Sequence, residues 1–245
     1  MKLTFLGTRG GIIARSKIHH KHSTLLISHN NHRIMIDCGT DWLQSIPLIT
    51  KKYKLEALLL THAHPDHAEG IKNGSFCLIY ASHDTIKGLA AYPIKQFIHV
   101  SYNCSYKIAN VFSCTPYFIE HSINAPAVGW KITDGTTTIF YVPDVAKIKD
   151  LSILKGIDYY IGDGAIITRS MLVRKKDHRV TGHASIKEQV AWCAKADIKN
   201  MIITHCGTEI VTGNQKEIAQ KIENLGALYK IHIKIAYDGM VMITK

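Results

Sequence analysis

The sequence predicts an α/β protein built of layered sheets, and three observations carry that prediction. Apolar runs of strand length recur from residue 3 to residue 243, helix-period apolar patterns are interleaved with them in the last third, and tight turn pairs such as Asp134-Gly135 separate neighbours without a long linker. Strands alternating with helices imply sheets covered by helices.

Each element follows in order. Residues 3–7 alternate as a strand should, and the runs at 23–28 and 33–38 flank the turn-forming His29-Asn30-Asn31, so the chain opens as a β meander. Residues 57–60, Ala-Leu-Leu-Leu, are uninterruptedly apolar, the pattern of a strand buried on both faces. Pro65 is expected to keep a helix from starting before Asp66, which leaves the preceding histidines on a loop. Residues 127–133 and 136–142 flank Asp134-Gly135, a strong hairpin signal, and lead to Asp144. Tyr159-Tyr160-Ile161 and Met201-Ile202-Ile203 read as strands; Ile186, Val190, Cys193 and Ala194 share one helical face, as do Ile218, Ile222 and Leu225. Two strands, 231–236 and 240–243, close the chain. With no Pro/Gly/Ser linker, repeat or low-complexity tract, residues 1–245 are expected to form one domain.

Composition narrows the class. No apolar block reaches 18 residues and no charged-then-apolar leader opens the chain, so neither a membrane span nor an export signal is expected. Six cysteines lack any C-x-x-C spacing and fit reduced thiols in a cytoplasm; Cys38 and Cys206 read as small buried hydrophobes. Thirty Lys and Arg against nineteen Asp and Glu give a formal charge of +11, which favours anionic partners or serves solubility. The excess gathers at residues 15–22, 51–54 and 169–179. His19, His20 and His22 lack ligand spacing and are expected to form a mobile cationic rim.

The chemistry concentrates in Thr61-His62-Ala63-His64-Pro65-Asp66-His67-Ala68-Glu69-Gly70, directly behind the strand at 57–60. A divalent transition metal takes imidazole nitrogens and carboxylate oxygens that converge. In extended chain, residues two apart point the same way, so His62 and His64 can share one ion, while Asp66 and His67, beyond Pro65, aim at a second beside it. His121, Asp144 and His205 each stand where an apolar run empties into a loop, the place where α/β folds gather their sites. Asp37, at another strand end, is either a turn residue or an acceptor for a ligand histidine's N–H.

His62-Ala63-His64-Pro65-Asp66-His67 resembles the H-x-H-x-D-H signature of the metallo-β-lactamase superfamily, and His121, Asp144 and His205 match its remaining ligands in order. The stretches at 5–11, 36–39 and 236–240 also look like family blocks. The resemblance implies a four-layer αββα sandwich with two divalent ions, zinc or manganese, at one edge of its sheets. His62, His64 and His121 would hold the first ion, Asp66, His67 and His205 the second, and Asp144 would bridge them. Relatives are often homodimers.

Two further residues set the branch. True β-lactamases usually replace the last histidine of that motif, whereas His67 is like those of phosphodiesterases and thioester hydrolases. Thr181-Gly182-His183-Ala184-Ser185 resembles the extra histidine motif of RNase Z and of a phosphoribosyl cyclic phosphodiesterase; the other reading of His183 is a helix cap. The 23 residues from His121 to Asp144 leave no room for RNase Z's long tRNA-binding arm, and residues 9–22 hold none of the cyclic phosphodiesterase's zinc-insertion cysteines.

The resemblance therefore implies a hydrolase acting on a cyclic or linear phosphodiester, in a nucleotide-like metabolite or a nucleic-acid end. Metal-activated hydroxide would attack phosphorus, Asp66 and His183 would be the catalytic residues, and His183 would act as general acid. Arg169 and Arg174 either grip the substrate phosphate or form a solvated basic face. The competing readings are a glyoxalase-type thioester hydrolase on the same metals and a non-catalytic nucleic-acid-binding relative.

Overall fold

The computed structural model describes residues 1–244, and in it the apolar runs become strands. The chain lays down β1 (Lys2–Gly7), β2 (Thr24–His29), β3 (His32–Ile36), β4 (Ala57–Leu59), β5 (Leu78–Ser82) and β6 (Phe97–Val100) in one sheet. It then crosses to a second sheet with β7 (Tyr106–Ile108), β8 (Phe112–Ile119), β9 (Ala127–Thr133), β10 (Thr138–Val142) and β11 (Tyr159–Asp163). A separate hairpin of β12 (Met171–Arg174) and β13 (Val180–His183) follows. Next, β14 (Asn200–Thr204) and β15 (His232–Ile235) extend the second sheet, and β16 (Val241–Ile243) returns to pair antiparallel with β1. The orders are β16-β1-β2-β3-β4-β5-β6 and β15-β14-β11-β10-β9-β8-β7.

The helices are α1 (Ile46–Lys52), α2 (Pro65–Ala68), α3 (His83–Gly88), α4 (Ile186–Lys195), α5 (Thr208–Thr212) and α6 (Gln215–Ala227). Three apolar layers hold them to the sheets. Leu3, Phe5, Leu25 and Leu59 of the first sheet meet Trp130, Tyr141 and Ile161 of the second. Outside the first sheet, Met35 and Leu58 pack with Ile49 of α1 and Ala68 of α2; outside the second, Phe140 and Met201 pack with Val190 of α4 and Ile222 of α6. The result is the expected αββα sandwich, and β4 is buried along its whole length because both its faces are covered.

Helix caps follow the sequence. Ser185 accepts the Glu188 N–H at the head of α4, and Asn214 accepts those of Lys216 and Glu217 at the head of α6. Pro65 departs from expectation: it is the first residue of α2, so His67 is helical and not on a loop. Proline lacks only an N–H that a first-turn residue would leave unpaired, and it forces His64 before it into extended backbone (ψ 148°). Among the described residues no helix is long and apolar enough to cross a membrane.

What positions the loop after β4 is a pair of bonds from the opposite sheet. The Trp130 indole donates to the Leu60 carbonyl at 3.1 Å, and the Val128 N–H donates to Thr61 O at 3.0 Å. Trp130 is fully buried between the sheets. Trp130→Ala is expected to lower unfolding free energy by about 3–5 kcal/mol in denaturant titration, through the cavity it opens; a change below 1 kcal/mol would show that the sheets dock without it.

Candidate metal centre

Most chemistry-bearing residues stand at or just beyond the end of a strand, while Asp66 and His67 lie in α2. β8, β10, β11 and β14 run in one direction, so Glu120-His121, Asp144, Asp163 and His205 emerge on one edge, facing the loop that leaves β4. Asp37, beyond β3, organises that loop from beneath. Fully buried and in the left-handed region (φ 60°), it accepts the Thr61 N–H at 2.8 Å and the Thr61 hydroxyl, and its other oxygen lies 2.8 Å from His67 Nδ1. The His67 Nδ1–H bond leaves Nε2 to face the centre. Gly39 lets the chain cross Asp66 closely: a Cβ there would fall within 1.9 Å of the Asp66 carbonyl oxygen.

Three groups of four side chains converge, each with its ligand atoms within 4.8 Å of one another: His62, His64, His121 and Asp144; Asp66, His67, His205 and Asp144; and Asp144, Asp163, His183 and His205. The first two comprise the seven ligand positions singled out in the sequence, and the third adds Asp163 and His183. Asp144 belongs to all three: its Oδ2 stands 3.3 Å from His62 Nε2, 3.0 Å from His67 Nε2 and 3.5 Å from His121 Nε2. Asp66 Oδ2 is 3.2 Å from His205 Nε2. His205 has a left-handed backbone (φ 51°), which a Ser23 hydroxyl steadies by accepting its N–H at 2.8 Å.

Whether a divalent cation suits this cradle can be judged from its atoms. Buried Asp144 Oδ1 and His67 Nε2 make no hydrogen bond among the described residues, although both sit within the converging set. Four buried or nearly buried carboxylates, Asp37, Asp66, Asp144 and Asp163, gather here, and so much negative charge away from water demands positive charge among them. Burial and the neighbouring imidazoles hold His62 and His64 below their ordinary pKa, and burial also lowers His121, so these rings are neutral and offer lone pairs. Burial opposes the charge on Asp66 as well, but His67 and His205 outweigh it and keep the carboxyl far below the usual range. The donor set fits a divalent ion.

A third residue pair completes the edge. His183, at the end of β13, places Nδ1 2.8 Å from Asp163 Oδ2 and 3.5 Å from Asp144 Oδ1. Burial works against the cation, yet the Asp163 carboxylate prevails and carries the His183 pKa up to about 9. His183 does not cap α4; Ser185 does. Asp163 was not singled out from the sequence, although it closes the Tyr159–Asp163 strand as Asp144 follows Thr138–Val142, and that shared placement was the available signal. All these groups open on a cavity of about 510 Å³ whose wall includes Gly10, Gly11, Ile166 and Met171. A Cβ on Gly11 would meet Asp66 Oδ2 at 2.8 Å, so the opening loop is glycine where it passes the site.

The predicted basic rim divides. Arg169 and Arg174 are exposed, Arg174 on β12, and neither is among the described residues that line this cavity. His19 and His22 are buried, not mobile: His19 Nδ1 lies 2.8 Å from the Thr8 hydroxyl, and His22 Nε2 accepts from Arg9 at 2.9 Å. His22 Nδ1 stands 3.0 Å from Asp41, which also pairs with Arg9 and Arg15. Only His20 of the three is exposed. The misreading arose because adjacent polar side chains look solvated unless a long-range partner, here Asp41, is visible.

Converging His/Asp groups that share a carboxylate at the strand ends of an αββα sandwich define a metallo-hydrolase. The chain belongs to the Beta-lactamase superfamily domain, which matches residues 32–206. Over 241 residues it is 24% identical to the probable metallo-hydrolase YhfI of Bacillus subtilis (strain 168), covering 91% of this chain and 94% of that protein. A local match of 70 residues is 37% identical to Ribonuclease Z of Bradyrhizobium diazoefficiens and covers 28% of this chain and 22% of that protein. Among solved structures, zinc-bound PqqB from Methylobacterium extorquens has the same fold, with a TM-score of 0.76 at 16% identity and full coverage of both chains.

Two outcomes follow from this geometry. Asp144→Ala is expected to lose at least one bound divalent ion by elemental analysis of the folded protein, and undiminished metal content would remove Asp144 from its shared position. His22, pushed down to about 4 first by burial and then by Arg9, stays neutral in the folded protein, whereas in the unfolded chain it takes a proton near pH 6.5. Its contribution therefore lowers stability as pH falls from 6.5 towards 4. Histidine-ring NMR should show one resonance titrating near 4 that is absent from His22→Gln; titration near 6.5 would mean that the ring is solvated.

Proposed function

We propose that this chain is a phosphodiesterase using two divalent ions, zinc or manganese, on a cyclic or linear phosphodiester of a nucleotide-like metabolite or a nucleic-acid end. The observation that carries the reading is His183, a histidine additional to the seven ligand positions that stands on the cavity wall with its Nδ1 held by Asp163 at 2.8 Å. Hydrolysis at a carbonyl needs no such group for its leaving atom when that atom is a good leaving sulfur, whereas an alkoxide leaving phosphorus needs a proton. The local likeness to Ribonuclease Z and the formal charge of +11 support the same reading.

His62, His64, His121, Asp66, His67 and His205 would hold the ions, with Asp144 shared. When bound, such ions polarise a phosphoryl oxygen and lower the pKa of water. The chain's own residues do the rest. Asp163 occupies His183 Nδ1, so the proton to be given stands on Nε2, and donation from there neutralises the leaving oxygen. Asp66 would hold the second ion and, beside Gly11, lines the cavity that would receive the phosphate. Arg169 and Arg174, solvated on and before the hairpin, draw the anion towards the cavity at long range. The six free cysteines suit a cytoplasmic protein.

The test is a panel of zinc- and manganese-loaded assays on aryl phosphodiesters, cyclic nucleotides, RNA, single-stranded DNA and a thioester. Turnover of a phosphodiester is expected, and His183→Ala should lower it by ~10²–10⁴-fold with metal content unchanged. Cleavage of the thioester alone, or loss of metal in the variant, would overturn the reading.

A further inference from the structure

A second cavity, of about 300 Å³, adjoins the metal centre, and His121 borders both. Its walls are unlike those of the first. Phe118 is 40% exposed, and its ring centroid lies 5.6 Å from that of Tyr102 at an interplanar angle of 60°. Both rings line the cavity with Ile123 and Arg179. Phe118 is the outward residue of the strand end that supplies His121: Ile119 beside it turns into the core. At about 3.3 Å per residue, three residues set the phenyl's backbone about 10 Å from that of His121.

Two of the polar groups here, Glu120 and Asp84, are carboxylates. Glu120 is 3% exposed and lines the cavity; its Oε1 lies 3.0 Å from the solvated Lys149 ammonium, and its Oε2 has no hydrogen-bond partner among the described residues. Asp84, which also lines the cavity, already accepts from the Tyr102 hydroxyl at 3.3 Å. An unpartnered buried carboxylate oxygen calls for a donor. An exposed phenyl face with a tilted phenol beside it, a carboxylate that can only accept and a cationic guanidinium, one strand end away from the proposed phosphate-cleaving centre, match one chemical class.

We infer that this cavity is a nucleobase subsite: Phe118 takes the face of a base, Tyr102 flanks it at a tilt, and Glu120 accepts from its exocyclic amino group. The inference rests on the phosphodiesterase reading and narrows its substrate to a phosphodiester with a nucleoside on one side, because His121 joins the two cavities. Arg179, steadied by Asp177 through its Nε at 2.7 Å, keeps the rim cationic for the nucleotide's own phosphate. Stacking supplies affinity whatever the base, while the carboxylate selects adenine, cytosine or guanine over uracil.

Calorimetric titration of the metal-loaded protein with four probes tests this: ribose 5-phosphate, AMP, CMP and UMP share the phosphate and differ in the base. AMP and CMP are expected to bind about tenfold or more tightly than ribose 5-phosphate, and CMP about fivefold or more tightly than UMP. Phe118→Ala and Phe118→Leu should both erase the preference over ribose 5-phosphate, the second without leaving a void, while turnover of methyl p-nitrophenyl phosphate stays at the wild-type rate. Equal binding of AMP and ribose 5-phosphate, or a preference that survives both substitutions, overturns the subsite; equal binding of CMP and UMP overturns the role of Glu120. If the wild type binds AMP selectively yet turns over no phosphodiester, the function proposed above fails and the base site stands.

Discussion

The Asp37 carboxylate is the constraint on which the centre depends. One buried side chain fixes the Thr61 backbone and hydroxyl and the His67 ring, and thereby sets the start and the end of the ligand loop. Burial raises its pKa, and the His67 ring and the Thr61 bonds limit that rise. Removing a carboxylate with that many partners would leave several donors unsatisfied at once, which is why buried networks of this sort fail as units. The loop is tied from above as well, through Trp130 and Val128 of the opposite sheet. Ligand geometry is thus inherited from the docking of the sheets.

The ligand set was legible because it is local in part and because strand ends announce the remainder. His62, His64, Asp66 and His67 arrive within six residues, and His121, Asp144 and His205 each follow an apolar run. The sandwich was legible from β4, whose continuous apolar side chains require cover on both faces. What sequence could not supply were partners far apart in the chain. Asp163 becomes meaningful only when β11 lies between β10 and β14, with His183 brought across it by the hairpin. His22 looked solvated because Asp41 and Arg9, which bury it, are 19 and 13 residues away. Pro65 was read as a barrier to helix when it is the helix's first residue, an ambiguity that proline always carries at a boundary.

Charge is distributed by the same logic. The net +11 is carried on the outside, by Arg169, Arg174 and lysines that remain solvated, while the centre is a basin that gathers four carboxylates around the neutral rings of His62, His64 and His121. An anion approaching such a molecule is attracted from a distance and repelled at close range unless cations occupy the basin. Attraction and selectivity are therefore separate properties, one belonging to the surface and the other to the centre.

The two ligand groups that include the loop after β4 draw on both halves of the sandwich: that loop belongs to the first sheet, and His121, Asp144 and His205 to the second. Any ion seated there is a further cross-link between layers also joined by apolar contact and by bonds such as those of Trp130 and Val128. By mass action, such an ion stabilises only the state in which the layers are docked. The supply of metal then acts as a thermodynamic clamp on the architecture itself, so that starvation for the ion would be felt as loosening of one sheet from the other before it was felt as lost chemistry.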